Sequence, residues 1–171
     1  LPIWIAVGGT PESVVRAAEY GLPMMLAIIG GMPARFAPFV KLYRDVYAKA
    51  GHPDADLQIG INSHTYVAET SQQARDEFYP PYSEVMTRIG KERGWSGMSR
   101  ADFDAATEPT AHLLVGSPQQ VIDKILYEHS LFGHTRFLAQ MSIGAMPHNH
   151  VMKAIELLGD VVAPAVRKHT K

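Results

Sequence analysis

The sequence contains no cysteine among its 171 residues. Disulfide bonds, zinc–thiolate sites and thiol catalysis are therefore excluded for this chain. A chain without cysteine fits the reducing cytoplasm, which is the compartment we expect. Long apolar runs are also missing, because glycine, proline or a charged residue interrupts each stretch before the roughly 18 residues that a membrane span needs. We therefore expect no membrane partner.

The sequence also lacks an excess of charge of either sign. Lysine and arginine number 16 against 17 aspartates and glutamates, so the formal net charge is −1, and like charges do not form runs. Such a balance gives no reason to expect nucleic acid or an anionic surface as a partner. With 46% hydrophobic and 19% charged residues, the composition is typical of a globular protein with one sizeable core.

The sequence does contain a regular alternation of apolar runs and amphipathic segments. Each apolar run is followed by a helical pattern, which favours right-handed crossovers and a parallel sheet covered by helices. Two parallel architectures remain open, a doubly wound sheet or part of an eight-stranded barrel, which needs about 250 residues. The apolar runs predict strands at 2–7, 22–29, 57–67 and 135–143, and helices are predicted at 11–20, 33–50, 70–80, 81–93, 117–132, just after 99 and from about 147.

The turn after the first predicted strand reads Gly8-Gly9-Thr10-Pro11-Glu12-Ser13. It matches neither the dinucleotide-binding fingerprint nor a P-loop. It nevertheless combines glycines, which let a ligand approach the backbone, with a helix start whose free N–H groups favour anions. On the motif alone, an ordinary turn in which Thr10 caps the helix is the favoured interpretation, and phosphate binding is the alternative.

Several motifs in succession resemble the C-terminal half of the bacterial luciferase-like flavin monooxygenases. The resemblance extends over essentially the whole chain and implies half of a TIM (β/α)8 barrel, strands five to eight. It also implies a single unit over 1–171, with a helical insertion at 70–112 after the third strand. The motifs are Gly8–Ser13, Ala17–Met24, Pro33–Phe36, Leu42–Arg44, Val67–Thr70, Leu114–Pro118, Met146–His148 and Ile155–Gly159.

The resemblance further implies a flavin site at the ends of the first two predicted strands. The flavin phosphate is expected at the first strand end and its turn, and the isoalloxazine ring near the second strand end. Bacterial luciferase has an acidic residue at the position of Gly9 and hydroxyl residues at the positions of Thr10 and Ser13. The expected cofactor-binding residues are Val7, Gly8, Gly9, Thr10, Ser13, Ala27 and Gly30.

The function implied by the resemblance is oxidation of a small organic substrate, such as an aldehyde, an alkane or a sulfonate, by O2 and reduced FMN. A separate flavin reductase is expected to supply the FMN. A dehydrogenase that uses a deazaflavin and a non-catalytic flavin-binding half-barrel protein are the alternatives. We also expect that these residues either belong to a longer protein or pair as a homo-oligomer, because the edge strands of a half-barrel are unpaired.

Four further features carry weaker expectations. His64, late in the third predicted strand, is the candidate catalytic residue, although a structural histidine is the commoner case. His148 and His150 point to different helix faces, so no metal site is expected. Arg100 is expected to be solvated rather than to meet an acidic substrate. The insertion, which contains Trp95, is either a lid over a substrate pocket or a dimer contact.

Overall fold

The computed structural model describes residues 1–170. Strands and helices alternate along this part of the chain, as the sequence predicts. Its strands are β1 (Ile5–Val7), β2 (Met24–Ala27), β3 (Ile59–Val67), β4 (Leu114–Gly116) and β5 (Arg136–Gln140). Its α-helices are α1 (Pro11–Glu19), α2 (Ala37–Lys49), α3 (Ser71–Arg93), α4 (Arg100–Ala106), α5 (Pro118–Phe132), α6 (His148–Leu157) and α7 (Ala163–His169).

The contacts of the chain divide it into two compact units. The first unit comprises Leu1–Ser63 and Glu128–Ala139, and the second comprises His64–Tyr127 and the residues from Gln140 onward. Strand β3 therefore begins in the first unit and ends in the second. That the whole chain acts as one domain stays a prediction. Among residues 1–170, no helix combines the length and the apolar character needed to cross a bilayer.

The first unit is built on a parallel sheet. Strand β1 pairs with β2, and β2 pairs with the beginning of β3, both in parallel; β5 also pairs with β3. One face of these strands packs against α1 and α2, which is why their alternate residues are large and apolar. The core of this unit includes Val7, Val14, Ala17, Leu26, Tyr43 and Ile61.

The second unit is held by an aromatic cluster. The end of β3 pairs in parallel with β4. Tyr66 stacks on Phe78 with ring centroids 5.3 Å apart, and Phe78 stacks on Tyr82 at 5.5 Å. Phe103 of α4 packs on Tyr82 at 5.7 Å, and all four rings are buried. Aromatic pairs of this kind add specific geometry to the burial of large apolar surfaces.

Two features of the fold differ from the prediction. The predicted break at Pro80-Pro81 is absent, since α3 runs unbroken from Ser71 to Arg93. A proline inside a helix costs about 3 kcal/mol, but Phe78 and Tyr82 lie four residues apart on the buried face, and each contributes about as much by burial. The strand β4 was not predicted, because three residues are too few to show a periodic pattern.

Candidate functional site

The turn between β1 and α1 leaves the backbone uncovered. Val7 is buried at the end of β1, whereas Gly8 is exposed and a Cβ atom placed on it or on Gly9 would meet no atom within 4 Å. Gly9 has φ +120°, a conformation that residues with a side chain rarely adopt. The chain therefore makes this turn with two glycines that leave open space above the strand end.

Two hydroxyl groups face each other on the first turn of α1. Thr10 Oγ1 and Ser13 Oγ are 2.9 Å apart in an exposed position. Thr10 holds the predicted N-cap position before Pro11, but its side chain makes no capping hydrogen bond. The amide of Ser13 donates instead to the carbonyl of Thr10 at 3.2 Å. The hydroxyls thus lie at the positive end of a nine-residue helix without serving as its cap.

The strand register places a row of residues beside this turn. Val7 aligns with Leu26, and Ala27 aligns with Asn62. Because paired residues share a face of the sheet, and Leu26 is buried against the helices, Ala27 and Asn62 point to the opposite face. Gly8 follows Val7 as Ala27 follows Leu26, so Gly8 lies level with Ala27 and Asn62. We call Gly8, Ala27 and Asn62 the strand-end row.

The side of the row toward β5 is formed by Leu138. Its backbone carbonyl accepts a hydrogen bond from Asn62 Nδ2 at 3.2 Å, and its side chain is 51% exposed. Beyond β2, a Cβ atom placed on Gly30 would also meet nothing within 4 Å. The row is therefore an open, mostly apolar floor that carries one carboxamide.

Below the strand-end row, the same face of the sheet is covered by the side chains of Met25 and Trp4. A Cβ atom on Gly60 would come within 2.6 Å of Met25 Cε, and Trp4 lies 3.0 Å from the same point. The guanidinium of Arg136 lies 4.8 Å from the centre of the Trp4 ring. The open space of the first unit thus lies at the carboxyl ends of β1 and β2, the position at which parallel α/β proteins bind their ligands.

The structure brings together all the residues predicted to bind a cofactor, at or just beyond the carboxyl ends of β1 and β2 in the first unit. Their role stays a prediction. Asn62 was missed, because its place in the row depends on the pairing of β2 with β3, which the sequence does not show. The residues in question are Val7, Gly8, Gly9, Thr10, Ser13, Ala27 and Gly30.

The candidate catalytic residue His64 lies in the second unit and is only 4% exposed. Its ring packs edge-on against Tyr82, with centroids 5.4 Å apart. Within residues 1–170, its Nδ1 has no hydrogen-bond partner. Burial lowers the pKa of His64 below its ordinary value, so the neutral ring is favoured. These contacts are those of a packed histidine, and its catalytic role stays a prediction.

A buried lysine organises the end of α4. Lys124 of α5 is 3% exposed, and its Nζ donates to the carbonyls of Thr107 at 3.1 Å, Glu108 at 2.7 Å and Leu113. Nearby His112 has its pKa lowered to about 4, first by burial and then by the positive charge of Lys124 and by His64. The ammonium therefore satisfies three backbone carbonyls, and two of them, those of Thr107 and Glu108, directly follow the end of α4.

A cavity of about 190 Å³ lies in the second unit near the end of β3. Glu77, one of the two glutamates that line it, accepts hydrogen bonds from Tyr66 Oη at 2.6 Å and Gln73 Nε2 at 2.9 Å, and His150 Nδ1 is 3.9 Å away. Burial, and then the hydrogen bond to Glu77, raise the pKa of Tyr66. In the part of the chain that the structure describes, no group of three histidine or acidic side chains is arranged to hold a metal ion.

Arg100 of α4 is held by neighbours of its own unit. Its Nε donates to Asp104 at 2.9 Å, its Nη2 donates to Asp76 at 2.9 Å, and the guanidinium lies 5.3 Å from the centre of the Tyr79 ring. The pKa of Asp76 is lowered, first by a hydrogen bond from Gln72 and then by the one from Arg100. Arg100 is therefore partly exposed and paired within its own unit, and its having no acidic substrate stays a prediction.

Known structures share this fold. The chain is similar to the monooxygenase RslO1 of Streptomyces bottropensis, with 27% identity, a TM-score of 0.73, and coverage of 95% of this chain and 47% of that one. It is also similar to the oxygenating constituent of 3,6-diketocamphane monooxygenase from Pseudomonas putida in complex with FMN, with 19% identity, a TM-score of 0.66, and coverage of 95% and 48%.

A third similar structure is the coenzyme F420-dependent tetrahydromethanopterin reductase of Methanopyrus kandleri, with 19% identity, a TM-score of 0.66, and coverage of 100% of this chain and 51% of that one. The chain thus spans about half the length of these structures, and its predicted fold class, half of a TIM barrel, is confirmed. No curated protein matches the sequence.

The family model described as luciferase-like monooxygenase matches residues 1–135, which is most of the chain. The resemblance carried by the sequence motifs is therefore confirmed. This chain belongs to the luciferase-like monooxygenase family.

Proposed function

We propose that this chain forms the phosphate-binding part of a flavin-dependent monooxygenase, which uses reduced FMN and O2 to oxidise a small organic substrate. The observation that carries the proposal is the open turn after β1. It combines the uncovered backbone of Gly8 and Gly9 with the hydroxyl pair of Thr10 and Ser13, 2.9 Å apart, at the N-terminus of α1. In a member of this family, such a turn fits the phosphate of FMN.

The residues at the strand ends fit the cofactor in shape and in chemistry. The two glycines leave room for a phosphate, and the hydroxyls of Thr10 and Ser13 can each donate to one of its oxygens. The strand-end row offers a flat, mostly apolar floor for a planar ring. FMN supplies the oxidation chemistry when it is bound, and the protein residues hold it and limit the access of water.

Monooxygenation is favoured over the alternatives by the similarity to RslO1, which at 27% identity and a TM-score of 0.73 is a monooxygenase by its description. A dehydrogenase that uses a deazaflavin is the second candidate, and the F420-dependent reductase favours it with a TM-score equal to that of the FMN protein. A flavin-binding protein without activity is the third. All three use the same turn for the ligand phosphate.

The test is to mix the purified protein with FMN, a flavin reductase, NADH and O2, and to search for oxygenated products of an aldehyde, ketone and alkane panel by mass spectrometry. A parallel titration with F420 is followed by absorbance. We expect FMN binding and incorporation of one oxygen atom from ¹⁸O₂. Binding of F420 with hydride transfer to a substrate would favour the dehydrogenase, and flavin binding without any product would favour the inactive flavoprotein.

A further inference from the structure

We propose that Asn62 is a positioning residue for the flavin ring, whose imide N–H donates a hydrogen bond to Asn62 Oδ1. The inference rests on the proposed function and adds a residue that the sequence motifs do not point to. Asn62 does not react in this assignment; it fixes the ring in the plane of the strand-end row.

Asn62 lies at the level of the carboxyl end of β2. It pairs with Ala27, the last residue of β2, although β3 itself continues to Val67. Its side chain thus lies level with Gly8, directly after the end of β1, and it faces away from the buried core. A group at this level borders the open space that the phosphate-binding turn also borders.

The groups that surround Asn62 in the strand-end row and on its β5 side are apolar. Gly8 has no side chain, Ala27 has a methyl group, and Leu138 has an apolar side chain that is 51% exposed. Asn62 therefore carries the polar side chain of this floor. A flat heteroaromatic ring that lies on apolar groups and presents an N–H at its edge would match such a surface. The ring of FMN and the ring of a deazaflavin both have that N–H.

The carboxamide of Asn62 is oriented by a hydrogen bond to the backbone of β5. Asn62 Nδ2 donates to the carbonyl of Leu138 at 3.2 Å, so the amide nitrogen is directed toward β5. A carboxamide has two donors on its nitrogen and an acceptor oxygen on the other side. With the nitrogen fixed by the backbone, Oδ1 is oriented before the ligand arrives, which lowers the entropic cost of binding.

The competing role for Asn62 is a structural one, in which it only links β3 to the backbone of β5. The two roles differ in what they require of the ligand. A structural link affects stability whichever ligand is used, whereas a ring-positioning residue acts only on ligands that have the imide N–H.

The experiment is a set of fluorescence titrations with three oxidised ligands, FMN, riboflavin and N3-methylriboflavin. They are made on the wild-type protein, on Asn62→Leu, and on Thr10→Ala combined with Ser13→Ala. Asn62→Ala is the second variant, should leucine fail to fold. Loss of one ligand hydrogen bond is expected to raise Kd about 10-fold.

We expect Asn62→Leu to weaken the binding of FMN and of riboflavin by the same factor. The wild type should bind N3-methylriboflavin about 10-fold more weakly than riboflavin. Asn62→Leu should bind riboflavin and N3-methylriboflavin with equal affinity. Thr10→Ala combined with Ser13→Ala should weaken the binding of FMN alone. If wild type and Asn62→Leu distinguish the two riboflavins to the same degree, Asn62 is only structural. If the wild type binds neither F420 nor any of the three flavins, both the role of Asn62 and the proposed function are wrong.

Discussion

The β1–α1 turn of the first unit and the helices of the second unit use their polar side chains in opposite ways. In the second unit, Lys124 binds backbone carbonyls and Arg100 binds two carboxylates, and these partners belong to the same unit. At the β1–α1 turn of the first unit, the hydroxyls of Thr10 and Ser13 contact each other beside open space. Groups satisfied by the protein stabilise its fold, whereas groups that border open space remain available to a ligand.

The difference follows from the cost of burying polar groups. A polar group inside a protein must find a partner, because leaving it unsatisfied costs about 1–3 kcal/mol. At the strand ends, glycine and exposed hydroxyls avoid that cost by keeping access to solvent. Such a surface loses little when water is exchanged for a ligand phosphate. The comparison therefore predicts that substitutions in the second unit change stability, and that those at the turn change binding.

The largest expected effect is that of Lys124→Met. The substitution leaves the carbonyls of Thr107, Glu108 and Leu113 without the ammonium that they share. We expect the free energy of unfolding to fall by about 3 kcal/mol. Urea denaturation at pH 7 measures it.

Lys153→Met is the matched control, because the Lys153 side chain is 56% exposed. It should change the free energy of unfolding by less than about 0.5 kcal/mol. An equal loss in both variants would contradict a capping role for Lys124. FMN affinity should be the same in both variants if the comparison between the units holds.

The next largest effect is expected on acidification. His112 has a pKa of about 4 in the folded protein and an ordinary value of 6.5. Between these values the unfolded chain binds the extra proton, so the free energy of unfolding falls as the pH falls through this window and levels off below it. The slope of about 1.4 kcal/mol per pH unit gives a loss on the order of 2 kcal/mol between about pH 6 and 4.5.

His112→Gln separates this contribution from that of other acid-sensitive groups. The variant should lose less stability than the wild type between pH 6.5 and pH 4.5, as measured by urea denaturation at a series of pH values. His148→Gln, at an exposed position, is the control and should follow the wild type. Parallel curves for the wild type and His112→Gln would show that His112 does not resist protonation in the folded state.

The parts of the fold that depend on local signals could be predicted from the sequence. The turn after β1 is fixed by neighbours in sequence, since two glycines, Thr10 and Pro11 select it within four residues. The alternation of strands and helices is equally local. The unbroken helix α3 could not be predicted, because the packing of Phe78 and Tyr82 against distant rings outweighs the cost of the prolines.

The parts of the candidate site that depend on pairing between distant segments could not be predicted. Asn62 joins Ala27 through strand register, and its amide reaches Leu138, which is 76 residues away along the chain. Arg100 likewise meets Asp76 across 24 residues. Such contacts follow from packing in three dimensions, and a single sequence carries no periodic signal for them.

A smaller effect, and one on binding alone, is expected from Gly8→Val. The new side chain has room, because a Cβ atom on Gly8 meets nothing within 4 Å. The free energy of unfolding should therefore change by no more than about 0.5 kcal/mol. Since the side chain occupies the space proposed for the flavin, FMN should bind about 10-fold more weakly.

Gly8→Ala provides a graded comparison, and its effect on FMN binding should lie between those of glycine and valine. Isothermal titration calorimetry measures the affinity, and urea denaturation measures the stability. Unchanged FMN affinity in Gly8→Val would place the ligand elsewhere and would remove the basis for contrasting this turn with the second unit.

The smallest effect is expected from Arg100→Gln. Its two ion pairs are partly exposed, with the Arg100 side chain 39% exposed, and exposed pairs contribute little to stability. We expect Tm to fall by no more than about 3 °C at low salt. The difference in Tm from the wild type should shrink at about 1 M salt, where screening acts over roughly 3 Å.

The affinity for FMN and the KM for any substrate that the protein oxidises should stay unchanged in Arg100→Gln, because the guanidinium is paired with Asp76 and Asp104. A rise in KM for anionic substrates alone would show that Arg100 leaves these partners to bind substrate, and the contrast between the two units would then fail at this residue.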